Sequence, residues 1–138
     1  MILLDTNVVS EAMRETGDRR VVAWIDAQSV ETLFLSTITL AELRFGILAL
    51  APGKRRDRLR ERLEEEVFGL FAGRILTFDL PASERYGELM ATARRAGRAI
   101  GTPDGYIAAI AAAAGFAVAT RDGSPFEAAG VRVINPWQ

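Results

Sequence analysis

The sequence predicts an α/β fold: a parallel sheet covered by helices on both faces. Short apolar runs, each ended by turn-forming residues, alternate with segments of helical hydrophobic spacing. Those runs are nearly continuous in Leu, Ile, Val and Ala, as strands buried on both faces require. The 138 residues are 49% hydrophobic and 25% charged, which suits one domain spanning residues 1–138 with its own core. No repeat, low-complexity tract or long linker divides the chain.

Met1 to Leu4 read as the first strand, stopped by Asp5-Thr6-Asn7. A short helix follows from Asn7 to about Arg14, then a turn at Glu15 to Asp18. Asp18 can cap a second helix to about Ala27, with Val22, Ala23 and Ile25 facing inward. Leu33 to Leu35 form the second strand. Leu40, Leu43, Ile47, Leu48 and Leu50 mark a third helix, ended by Pro52-Gly53. The next helix spans about Lys54 to Phe71, with Leu59, Leu63, Val67, Leu70 and Phe71 on one stripe. Ile75 to Phe78 form the third strand. Pro81 starts a long helix that Gly97 stops. Thr102-Pro103 open another helix, ended by Gly115. Phe116 to Thr120 give the fourth strand, Ser124-Pro125 a short helix, and Val131 to Ile134 the last strand.

The missing residue types restrict the chemistry. With no His and no Cys, Ser-His-Asp and Cys-His catalysis, thiolate chemistry and zinc fingers are excluded. No disulfide framework is possible, no apolar leader precedes the first strand, and no apolar run reaches the roughly 18 residues of a membrane span. A cytoplasmic location is expected. The net charge of −1 gives no global attraction for nucleic acid. The bases are one Lys and otherwise Arg, which suits bidentate contacts with phosphate.

Four acids stand out by position. Asp5 and Asp122 follow strands, and Glu42 and Asp104 lie in the first turns of helices. The carboxyl edge of such a sheet is where ligands bind. Each acid also has a local reading. Asp5 can cap a helix, and Thr39-Leu40-Ala41-Glu42 fits a capping box. Asp104 suits the helix dipole behind a Thr102 cap with Pro103 at N1, and Asp122-Gly123 suits a turn. Gathered at one edge, however, four acids would repel one another unless a hard cation such as Mg²⁺ or Mn²⁺ lay among them.

MILLDTNVVSE, TLAEL, TPDGYIAAIA and VATRDGSPF together resemble a PIN-domain ribonuclease, and within that group the FitB-like branch of VapC-type toxins from toxin–antitoxin modules. The resemblance runs nearly the whole chain, to the final INPW. It implies a three-layer α/β/α fold with a central parallel sheet of about five strands. It implies an endoribonuclease using one or two Mg²⁺ or Mn²⁺ ions, with Asp5, Glu42, Asp104 and Asp122 as catalytic residues and metal ligands. Many VapC-type chains read T-R-N-x-x-D-F at the fourth motif. Here the acid stands at the Asn position as Asp122, and Pro125 replaces the later Asp. Thr6, Asn7 and Thr120 are supporting neighbours, with turn and cap bonding as the alternative role.

Positive charge must draw RNA to such a site. The candidates are Arg94, Arg95 and Arg98, and Lys54, Arg55 and Arg56 in KRRDRLRERLEEE, where the basic half of the helix comes first, against the macrodipole. Arg60–Glu64 and Arg62–Glu66 are the pairs that could offset this. The resemblance also implies a cognate antitoxin with a DNA-binding domain, and a homodimer. Phe45, Leu48 and Leu50 could supply a dimer face, with Trp24 and Trp137 as anchors or as ordinary core. The rival reading is a catalytically silent PIN-like or receiver-type Mg-binding module. A receiver would need a Lys near a late strand, but the only Lys is Lys54.

Overall fold

The computed structural model describes all 138 residues and contains one five-stranded, all-parallel sheet in the order β3-β2-β1-β4-β5. The strands are β1 (Ile2–Leu4), β2 (Leu33–Ser36), β3 (Ile75–Leu76), β4 (Ala117–Ala119) and β5 (Val133–Ile134). The helices are α1 (Thr6–Met13), α2 (Arg19–Asp26), α3 (Thr37–Leu48), α4 (Lys54–Glu61), α5 (Phe68–Leu70), α6 (Leu80–Arg95), α7 (Thr102–Ala114) and α8 (Ser124–Ala128). From β1 the chain winds outward through β2 to β3, then crosses back to place β4 on the other side of β1. The winding therefore reverses between β1 and β4, which is where an open α/β sheet leaves a crevice.

The two-residue alternation of the strands sorts the core into two layers. Leu4, Leu33, Leu35 and Ala119 face one side and pack with Val8, Leu40, Leu43, Ile47, Leu63 and Trp137. Leu3 and Val118 face the other and pack with Ile107, Ile110, Leu89 and Phe126. No helix is long and apolar enough to cross a membrane.

Several local expectations are corrected. In α2 the inward residue is Val21, fully buried, while Val22 and Ala23 are exposed and Ile25 is half-buried. The helix starts on its Asp18 cap, as expected. The single helix expected from Lys54 to Phe71 contains a π-helical stretch, Arg62–Val67. The wider turn resets the phase, so Leu63 and Phe71 are buried but Leu70 is 57% exposed. Glu64 is not paired with Arg60. It accepts two bonds from Arg44 on α3, at 2.8 and 3.0 Å, which ties α4's continuation to α3. Arg62 does pair with Glu66, at 3.5 Å. Leu48 is exposed and Leu50 half-buried. Trp137 is a core residue under the Arg121 guanidinium, 5.3 Å from its ring centroid, and Trp24 packs at the edge of the same core.

Val21→Ala should lower the unfolding free energy by about 2 kcal/mol, for two buried methyl groups and the space they leave. Val22→Ala, one position along, should change it by less than about 0.5 kcal/mol. Urea unfolding of the two variants checks the assignment.

Candidate active site

β1 ends at Leu4, and the next residue lies at the reversal of winding. The Asp5 backbone N–H donates to Ala119 on β4 at 2.9 Å, so Asp5 is locked beside the end of that strand. Its side chain is buried, 6% exposed. One oxygen accepts from the Thr6 N–H at 2.8 Å, which is the helix-capping role for α1. The other accepts from the Thr120 hydroxyl at 2.8 Å and from Asn7 Nδ2 at 3.4 Å. Asn7 also donates to the Thr120 hydroxyl at 3.2 Å and accepts the Arg121 N–H at 3.3 Å. Thr6, Asn7 and Thr120 thus join the end of β1 to the end of β4 around one carboxylate.

Glu42 does not close a capping box. The N-cap of α3 is Ser36, whose hydroxyl accepts the Thr39 N–H at 3.1 Å, so the helix begins earlier than expected. Glu42 is left free to turn to α1, where its Oε1 accepts the Thr6 hydroxyl at 2.7 Å. The Thr39 hydroxyl, fully buried, lies 3.1 Å from the same Thr6 oxygen. Motif spacing alone does not assign Thr39 and Ser36 to the site. Their signal is the run of hydroxyls Ser36-Thr37-Ile38-Thr39 directly after a strand.

Asp104 lies in the first turn of α7, whose N-cap is Gly101 rather than Thr102, with Pro103 second in the helix. The carboxyl is pushed above its ordinary value by burial and then by the neighbouring charges of Glu42 and Asp122, with no hydrogen bond to offset them. Asp122 follows β4, is exposed, and accepts the Ser124 N–H at 3.1 Å, which is the turn role expected of it. The Asp5 carboxyl is pushed up to about 6. Burial is the main cause, opposed by the Thr120 and Thr6 bonds and reinforced by Asp104 and Glu42.

The charges of Glu42 and Asp104 thus reach Asp5, and those of Glu42 and Asp122 reach Asp104, yet none of the four acids takes part in any of the protein's salt bridges. The donor set is all hard oxygen and suits Mg²⁺ or Mn²⁺ in kind. No three acidic side chains converge closely enough to hold a metal ion together.

The two basic groups sit differently. Arg94 and Arg98 line a groove with Met90 and Ile100, next to the first turn of α7 that carries Asp104. Arg95 is exposed beside them and donates to Thr92 at 3.4 Å. Arg55 lines a groove with Met13 to Thr16, at the far end of α1 from Asp5. An eight-residue helix is about 12 Å long, so Lys54, Arg55 and Arg56 at the start of α4 are not gathered at the acids. The acids likewise have no lysine beside them.

The PIN domain family matches residues 2–131. The chain is 61% identical to VapC ribonuclease Y4jK of Sinorhizobium fredii over 138 residues, covering 100% of this chain and 99% of the relative. It is 50% identical to toxin FitB of Neisseria gonorrhoeae over 137 residues, covering 99% of each. A structure of FitAB bound to the IR36 DNA fragment superposes with a TM-score of 0.96 at 48% identity, covering 100% of this chain and 96% of that one.

A raised Asp5 pKa means that the folded state holds a proton the unfolded state has released, between pH 3.8 and about 6. Its contribution to stability is therefore fully present below pH 3.8 and lost as pH rises to about 6. The shift corresponds to about 3 kcal/mol. In EDTA at pH 7, Asp5→Asn should be more stable than the parent by up to about this amount, and the gap should close towards pH 4. Urea unfolding across that range measures the difference.

Proposed function

The chain belongs to the PIN-domain family, and on that premise we propose that it is the endoribonuclease toxin of a toxin–antitoxin pair, hydrolysing RNA phosphodiester bonds with Mg²⁺ or Mn²⁺. The observation that carries this reading is the Asp5 carboxylate, buried at the reversal of sheet winding, with the charges of Asp104 and Glu42 near it and no salt-bridge partner. The identity to VapC ribonuclease Y4jK supports the reaction class.

Asp5 and Asp104 are the direct ligands in this reading, for one or two ions. Glu42 and Asp122 complete the set. When bound, such a cation supplies a hard Lewis acid at the scissile phosphate and its attacking water. The protein's part is orientation. Thr120 and Asn7 fix one Asp5 oxygen through hydrogen bonds, and the Thr6 N–H fixes the other. The Thr6 hydroxyl holds Glu42 from across the cleft. With no histidine in the chain, no imidazole base is available, and the carboxylates are the groups that can take protons.

Arg94, Arg95 and Arg98 are proposed to bind RNA phosphate near the acids. Lys54, Arg55 and Arg56 are proposed to meet a distant RNA segment or an acidic surface of a partner. The proposed partner is a cognate antitoxin with a DNA-binding domain. The FitAB complex, bound to DNA, supports it. Homodimerisation through α3 is part of the same proposal, because Phe45 and Leu48 lie one turn apart and are 75% and 52% exposed.

Purified protein should cleave structured RNA with Mn²⁺ or Mg²⁺ and not with EDTA. Asp5→Ala should slow cleavage about a thousandfold or more, as the loss of several kcal/mol of transition-state stabilisation requires. Equal cleavage by parent and variant would mean a contaminating nuclease and would overturn the reading. For the dimer, Phe45→Glu should halve the mass at sedimentation equilibrium with an unchanged circular dichroism spectrum.

A further inference from the structure

One face of α6 runs from side chains that pack on the core, Tyr86 and Met90, to exposed cationic ones. Tyr86, Met90 and Arg94 recur at four-residue spacing and so form one stripe along the helix. Arg98 follows just past the helix end. Arg94 and Arg98, both exposed and free of any carboxylate partner, line an open groove of about 600 Å³ whose apolar wall includes Met90 and Ile100. Met90 and Tyr86 reach the same point on α7. A Cβ on Gly105 would meet the Met90 sulfur at 2.8 Å and the Tyr86 ring at 3.1 Å. The groove therefore abuts the turn of α7 that holds Asp104.

At the other end of the stripe the ring of Tyr106, two residues after Asp104, stacks on Tyr86 at 4.9 Å between centroids and 26° between planes. Phe78 meets both rings edge-on, at 5.9 and 4.9 Å. Tyr86 and Phe78 also pack on the core beneath, and Tyr106 does not. Tyr106 is thus the outer ring of a pre-set stack, half-buried, with its rotamer held by two neighbours. No buried side-chain polar atom lacks a partner, so the phenol groups open to solvent.

We propose that this stripe is a subsite for a single-stranded RNA segment flanking the cleaved bond. Arg94 and Arg98 take a backbone phosphate, and the outer face of Tyr106 stacks on a nearby base. Unpaired guanidinium groups beside a rigid aromatic platform are the combination that binds single strands with little sequence preference. Packing on Phe78 and Tyr86 fixes the Tyr106 ring but gives no role to its outer face or to the two unpaired charges. The inference rests on the nuclease reading and adds to it a base-stacking residue, Tyr106, and a phosphate contact by Arg94 and Arg98 beside the acids.

The test uses the full chain with Asp5→Asn as a non-cleaving background. Binding of a short fluorescein-labelled oligoribonucleotide without secondary structure is followed by anisotropy. Tyr106→Ala should weaken binding about 5- to 150-fold, Tyr106→Phe should stay within about twofold of the background, and circular dichroism should show all three proteins folded at the assay temperature, with Tyr106→Ala melting somewhat lower for its lost ring contacts. An abasic nucleotide at the position next to the mapped cleavage site should cost the background affinity and cost the Tyr106→Ala protein little more. Arg94→Gln with Arg98→Gln should flatten the salt dependence of log K by about 0.7 for each phosphate no longer neutralised. Unchanged affinity in Tyr106→Ala, while Asp5→Ala has lost cleavage, overturns the subsite and leaves the nuclease reading standing. Absence of both oligonucleotide binding and cleavage in the unaltered chain overturns the nuclease reading and the subsite with it.

Discussion

The Asp5 carboxylate is buried at the seam between β1 and β4, and no positive side chain offsets its desolvation. Hydrogen bonds from Thr6, Asn7 and Thr120 relieve part of that cost, but nearby Asp104 and Glu42 add to it. Stability alone gives no reason to keep such an arrangement, since an apolar residue or an amide would sit there more comfortably. The winding of the sheet explains how the carboxylate comes to be there. A chain that runs outward through β2 and β3 and then returns beyond β1 must leave two adjacent strand ends with helices departing to either side. Asp5 and Thr120 occupy those two ends.

The surrounding polar groups divide by which element they secure. Asn7 bridges β1 to the loop after β4 through both ends of its amide. Thr6 bridges α1 to α3 by donating to Glu42. Asp104 is held by nothing in the protein except the placement of α7, and its proton affinity is raised by burial and by the nearby charges of Glu42 and Asp122. The acids thus differ in preparation. Asp5, Glu42 and Asp122 each accept a hydrogen bond that orients them, whereas Asp104 depends on where α7 starts.

Much of this arrangement was legible in the sequence, because it depends on strand ends. Apolar runs closed by Asp-Thr-Asn or Thr-Arg-Asp fix where a parallel strand stops, and the side chains just beyond share an edge. What the sequence hid depends on helix phase. Ser36 and Thr39 both offer a capping hydroxyl three residues apart. Only the path of β2 into α3 decides between them, and that choice frees Glu42. In α2 the Asp18 cap is as expected, but the adjacent pair Val21-Val22 does not reveal which of the two meets the core. The π-helical turn at Arg62–Val67 leaves no mark in hydrophobic spacing, and it turns Leu70 outward. Phe78, Tyr86 and Tyr106 come from three separate elements, so no local pattern could bring them together.

Gly105 sets how far α6 stands from α7. With no side chain there, the sulfur of Met90 and the ring of Tyr86 settle almost on the backbone. Because Met90 can swing aside while an aromatic ring cannot, bulk introduced at this single point would lever the two helices apart asymmetrically. A graded series of residues at position 105 would therefore act as a set of shims, widening the channel beside the acids in steps without altering any charge.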